Sequence, residues 1–95
     1  MNVDQRKKVS SFQSDFKSEF GVGIRVYKGV KLADDVALKS LTAKGAKGGA
    51  IDFGGNTKVK SVEKAFKDQM GIKVQVEDKK GGLANNDATL ASLIK

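Results

Sequence analysis

The sequence predicts an α+β domain, a two-layer α/β sandwich made from a strand–helix–strand–helix unit used twice. Three observations predict it. Val9, Phe12, Phe16 and Phe20 form one helical stripe, and Val59, Val62, Phe66 and Met70 repeat it fifty residues on. A glycine, Gly21 or Gly71, follows each stripe at once and can take the left-handed conformation that ends a helix. After each glycine, aliphatic residues alternate with others, which is the period of a half-buried strand.

The elements follow in order. Met1–Val3 leaves two readings open: a short edge strand, or a loose end before a longer helix capped by Asp4. A helix at roughly 8–20 carries the first stripe. Val22, Ile24 and Val26 then alternate with Gly23, Arg25 and Tyr27 in a strand. A turn through Lys28-Gly29 leads to Leu32-Ala33-Asp34-Asp35, where Asp34 or Asp35 can cap a second helix with Leu38 and Leu41 inward. The Gly45–Gly49 stretch links the halves. Ala50-Ile51-Asp52-Phe53 reads as a short strand, followed by a helix at roughly 58–70 and a strand at 72–77. Leu83-Ala84-Asn85-Asn86 matches Leu32-Ala33-Asp34-Asp35, and Leu90, Ser92 and Leu93 match Leu38, Ser40 and Leu41. The chain therefore reads as a single domain, 1–95, of two related halves, about 1–47 and 48–95. One apolar face per strand implies a sheet of three or four strands, helices on one face and solvent on the other.

Composition narrows the function classes. Hydrophobic residues make up 39% and charged residues 31%, as in a globular protein rather than a disordered tail. No apolar run is long enough to span a membrane, and no apolar segment follows the first charges as in a secretory signal. With no cysteine and no such signal, a cytoplasmic location is the expectation. Net charge is +7, which favours acidic partners. Sixteen of the eighteen cations are lysine, however, with Arg6 and Arg25 the exceptions, and nucleic-acid interfaces lean on arginine. A solvated lysine surface explains the charge better than a nucleic-acid footprint.

The run Gly21-Val22-Gly23-Ile24-Arg25-Val26-Tyr27-Lys28-Gly29, the following Leu32-Ala33-Asp34-Asp35, and Asn86-Asp87-Ala88-Thr89-Leu90-Ala91-Ser92-Leu93 resemble a group of small bacterial α/β proteins. Their shared pattern is glycine–strand–ADD–ATLASL. The resemblance covers most of both halves and implies the same domain reading, but it brings no established function and no functional residue. The tetratricopeptide label some relatives carry does not fit, because those repeats are all-helical with a period near 34 residues. Helix, glycine, strand, turn and Asn-Asp-x-Thr-Leu are also similar to the second half of ubiquitin-like domains, which stand as a fold alternative. This chain lacks their prolines and the diglycine tail.

Without histidine or cysteine, the commonest general base, the thiol nucleophile and the usual zinc ligands are missing. A serine–lysine pair is left, yet the serines fall on helix faces or near caps, where bonds to backbone explain them. Helix capping accounts for Asp34, Asn86 and Asp87, and a turn for Asp78, with less machinery than a calcium loop. No cofactor and no metal is expected. The Lys44-Gly45-Ala46-Lys47-Gly48-Gly49 segment can offer backbone N–H groups and two ammonium groups to an anion. It lacks the strand before it and the Gly-Lys-Ser/Thr of a P-loop, so a linker explains it more simply. With Lys39 it is the best local basic patch.

The open sheet face is the other candidate. Alternation puts Arg25, Tyr27, Lys73 and Gln75 on it, with Glu77 and Asp52 sharing that face. Exposed sheets with aromatics and cations bind single-stranded RNA by stacking, but Tyr27 is the one candidate ring here. The candidate binding residues are thus Arg25, Tyr27, Lys73, Lys39, Lys44 and Lys47. The expected function is a small non-enzymatic interaction domain with a protein partner, including a second copy through a sheet edge. Nucleic-acid or polyanion binding is the alternative, and an unrecognised enzyme the third.

Overall fold

The computed structural model describes residues 1–42, 45–46 and 49–94. The elements are β1 (Asn2–Asp4), α1 (Val9–Phe20), β2 (Ile24–Lys28), β3 (Lys31–Leu32), α2 (Leu38–Leu41), β4 (Ala50–Asp52), α3 (Val59–Met70) and β5 (Lys73–Val76). A 3-10 turn, Ala91–Ile94, stands where the second half would repeat α2. Met1–Val3 is resolved in favour of the strand. Asp4 caps no helix; its carboxylate accepts the Arg6 N–H at 2.8 Å in a local turn.

Both long helices form because the apolar spacing puts four residues on one buried stripe. Val9, Phe12, Phe16 and Phe20 in α1, and Val59, Val62, Phe66 and Met70 in α3, are all buried. Both end on a left-handed glycine: Gly21 at φ 76° and Gly71 at φ 67°. The freed N–H of each donates back into the last turn, to Lys17 O at 2.8 Å and Lys67 O at 2.9 Å.

The helix starts correct the sequence reading. Lys8 and Lys58 precede the helices without a side-chain cap. The orphan N–H groups are met by the loop that was expected to cap a second helix. Val9 N–H donates to Val36 O at 2.9 Å, and Ser10 N–H to Asp35 Oδ1 at 3.0 Å. In the other half, Val59 N–H donates to Ala88 O and Lys60 N–H to Asn86 O. Asp35 therefore caps α1 across 25 residues of chain, and α2, only one turn long, starts at Ala37 without a side-chain cap. Asp34 and Asn86 contribute backbone carbonyls, and Asp87 pairs with Lys60 Nζ at 3.0 Å.

The strands divide between two antiparallel sheets, not one: β1-β4 and β3-β2-β5. Each draws strands from both halves. In the first, Val3 faces Ile51, with Asn2↔Asp52 at the centre. In the second, Ile24↔Val76, Arg25↔Gln75, Val26↔Val74 and Tyr27↔Lys73 pair in turn. Adding or subtracting fifty exchanges the partners: Ile24↔Val76 becomes Val74↔Val26, also present. Likewise Val3↔Ile51 becomes Phe53↔Met1, where Phe53 N–H donates to Met1 O at 2.9 Å. The halves thus meet as the two subunits of a twofold dimer would, around an axis through both central pairs.

The apolar faces of both sheets and both long helices close on one core. All five phenylalanines lie in it, with Phe16 and Phe20 ring centres 4.9 Å apart and Phe12 and Phe66 5.2 Å apart. Leu38 and Leu90, equivalent positions, are both fully buried. Each such side chain contributes about 1.5–3 kcal/mol on burial. The molecule extends 37 × 21 × 21 Å. Among the described residues, no helix is long and apolar enough to cross a membrane.

Candidate functional site

The exposed face of the larger sheet brings together Arg25, Tyr27 and Lys73, as their strand positions predict. β2 and β5 place Arg25 opposite Gln75, and Tyr27 opposite Lys73. The side chains then reach diagonally. Arg25 Nε donates to Glu77 Oε2 at 2.9 Å, and its Nη2 to Gly81 O at 3.0 Å. The Tyr27 hydroxyl donates to Gln75 Oε1 at 2.7 Å. These diagonals are the same contact in the two halves, since Arg25 corresponds to Gln75 and Glu77 to Tyr27. One half fills it with an ion pair, the other with a neutral bond. The Glu77 carboxylate, and after it the Tyr27 hydroxyl, hold the Arg25 guanidinium above its ordinary pKa. Lys73 Nζ sits 5.3 Å from the centre of the Tyr27 ring, within cation–π range.

Glu77 shares this face as expected, but Asp52 does not. It lies in β4, in the other sheet, which a single-sheet reading could not anticipate. Lys39 lies on α2, where its N–H donates to Gln5 O at 2.7 Å. Lys44 and Lys47 lie outside the described residues.

A groove that the sequence reading missed opens beside this face. It has a volume of about 520 Å³ and runs between α3 and the outer edge of β5. Glu63, Lys64 and Lys67 line it from the helix; Lys73, Val74 and Gln75 line it from the strand. A smaller hollow of about 270 Å³ lies on the far side of Glu63, against Leu83 and Ala84. Glu63 Oε2 accepts the Val76 N–H at 3.3 Å, where the carbonyl of another strand would otherwise sit. Burial pushes its carboxyl above the ordinary range, against the opposing pull of Val76 N–H and of the Lys73 charge. The equivalent residue in the first half is Gln13, whose Nε2 donates to Ile24 O at 3.0 Å.

The fifty-residue offset was the signal for this groove. It sets Ser14 against Lys64 and Gly23 against Lys73, so two of the three lysines belong to the second half alone. Lys67 matches Lys17, and both sit in the last helical turn, where a cation complements the helix dipole. At Gly23 a Cβ would meet the Glu77 carboxylate, which a side chain there must push aside. The chemical capacity of this region is charge and hydrogen bonding.

Comparison with protein-family models, with curated proteins and with solved structures returned no match for this chain.

Proposed function

We propose that the chain is a small non-enzymatic interaction domain whose partner is a protein. The observation that carries this reading is where unsatisfied binding capacity is left. On the sheet face, Arg25, Tyr27, Gln75 and Glu77 consume one another. At the β5 edge, a groove with three lysines stands beside a strand that ends the sheet. Sheet edges are a common means of capturing protein segments. The lack of cysteine supports work in the cytoplasm.

Panning a random-peptide display library on the immobilised domain, with free domain as competitor, tests the reading. Enrichment of competable sequences is expected, and a library that yields none rejects it. The second reading is polyanion binding through Arg25, Tyr27, Lys73 and Lys39, and the +7 net charge favours it. Titration with single-stranded and duplex oligonucleotides at two salt concentrations separates the two. Saturable binding that falls steeply with salt, and that Tyr27→Ala weakens, supports the second reading.

A further inference from the structure

We infer that the groove between α3 and β5 is the docking site of an extended acidic peptide, which adds to the sheet at Val74. This rests on the interaction-domain reading and names its partner.

The backbone comes first. Glu77 N–H donates to Gly23 O, so residues 73, 75 and 77 turn their amides and carbonyls towards β2. Strand parity then points those of Val74 and Val76 outward. Val76 is already satisfied: Ala84 N–H donates to its carbonyl at 2.9 Å, and its N–H goes to Glu63. Among the described residues, Val74 has no partner on that side. At the equivalent Ile24, Gln13 takes the carbonyl. The unpaired backbone groups therefore belong to the second half and lie in the groove wall; Val74 is only 2% exposed, so an incoming strand must first displace the side chains that cover it.

The charge comes next. No ion pair among the described residues uses Lys64, Lys67 or Lys73. The one carboxylate in the groove wall is Glu63, which is tied to Val76 and shifted towards its neutral form. An incoming strand lies about 4.8 Å from β5 and projects alternate side chains to either side, towards the helix lysines and towards Lys73. Carboxylates at those positions complement the site. A second copy docking edge to edge would set Lys73 against the same lysines, and like charges across a ladder are destabilising. A nucleic acid would use the lysines but not the backbone of Val74. The groups suited to reading its bases, Arg25 and Tyr27, are held by Glu77, Gly81 and Gln75.

The test uses a capped seven-residue peptide with three consecutive central glutamates flanked by valines, which presents carboxylates to both sides of the strand, its lysine counterpart, and a single-stranded oligonucleotide as competitor. The acidic peptide is expected to bind, to protect the Val74 amide from hydrogen exchange, and to lose affinity when N-methylated opposite Val74. Lys64→Gln with Lys73→Gln should weaken it at least about tenfold. The exposed pair Lys31→Gln with Lys80→Gln, equal in net charge, should change it less than about twofold. Glu63→Gln should tighten it. Absence of binding at millimolar peptide, equal binding of the lysine peptide, or indifference to the groove substitutions overturns the inference. So does an oligonucleotide that displaces the peptide and depends on the same lysines more strongly. If display enriches peptides that ignore Lys64 and Lys73, this inference fails while the interaction-domain reading stands.

Discussion

Two carboxylates show how far single residues can be read before the fold is known. Asp35 looked like a cap, and it is one, but for α1 instead of α2. Which helix it serves depends on how the loop returns, and the local sequence holds no trace of that. Its pKa is lowered chiefly by the Ser10 N–H, then by the Ser10 hydroxyl. The stability it gives is therefore present above the unfolded value of 3.8 and lost as pH falls through the folded one. Asp35→Ala should lower Tm at pH 7 by a few degrees, while Asp34→Ala, which leaves only a backbone contact behind, should leave it nearly unchanged. Differential scanning calorimetry reads both. Glu63 has the opposite sign. Its folded pKa lies above the ordinary 4.5, so the folded state holds the proton more tightly. Stability is then greatest below that value and declines as pH rises through the folded pKa. Glu63→Gln, which installs the residue of the first half, should keep an acceptor for Val76 and flatten the pH dependence of urea midpoints in that window. A wild-type slope retained in the variant would show that Glu63 is not its source.

Among the elements, those with strong periodicity were legible and those without it were not. Helices expected at 8–20 and 58–70 run over Val9–Phe20 and Val59–Met70. Their glycine stops were visible because few residues other than glycine fit φ near +70°. Replacing Gly71 by alanine should cost about 1–2 kcal/mol in chemical denaturation, the penalty of a Cβ in that region. Gly21→Ala must also displace Ile94, whose Cγ2 lies 2.7 Å from the added Cβ, so it should cost at least as much. A value near zero at Gly71 would mean that the helix end relaxes. The hairpin arm β3 escaped the sequence because its residues obey no burial pattern: Lys31 and Leu32 are both exposed, Leu32 to 64%. The sheet count failed for a related reason. Alternation shows which side of a strand is buried, not which strand lies beside it, so β1 and β4 could not be separated from β2 and β5.

For the molecule as a whole, the repeat proved more informative than any motif. It predicted equivalent core positions, and the candidate groove lies where the equivalence fails, at Lys64 and Lys73. The groove itself was hidden because it needs α3 and the β5 edge side by side. The twofold arrangement has a consequence for folding. Each sheet takes strands from both halves, so neither 1–47 nor 48–95 holds a complete one. Each fragment alone should show little ordered structure by circular dichroism and a collapsed amide spectrum. Mixing the two should restore the native spectrum with concentration dependence. A fragment that folds alone would show that the halves are separable units.

The pairing of Arg25 with Gln75 carries a further meaning. These residues lie on the symmetry axis, where each position faces its own counterpart. In an assembly of two identical chains, an arginine there must oppose another arginine, and the charges repel. Joined in one polypeptide, the two positions are free to diverge. Here one position carries a guanidinium paired with Glu77 and the other an amide paired with Tyr27. Covalent linkage thus permits at the axis an unlike pair that an assembly of identical chains forbids.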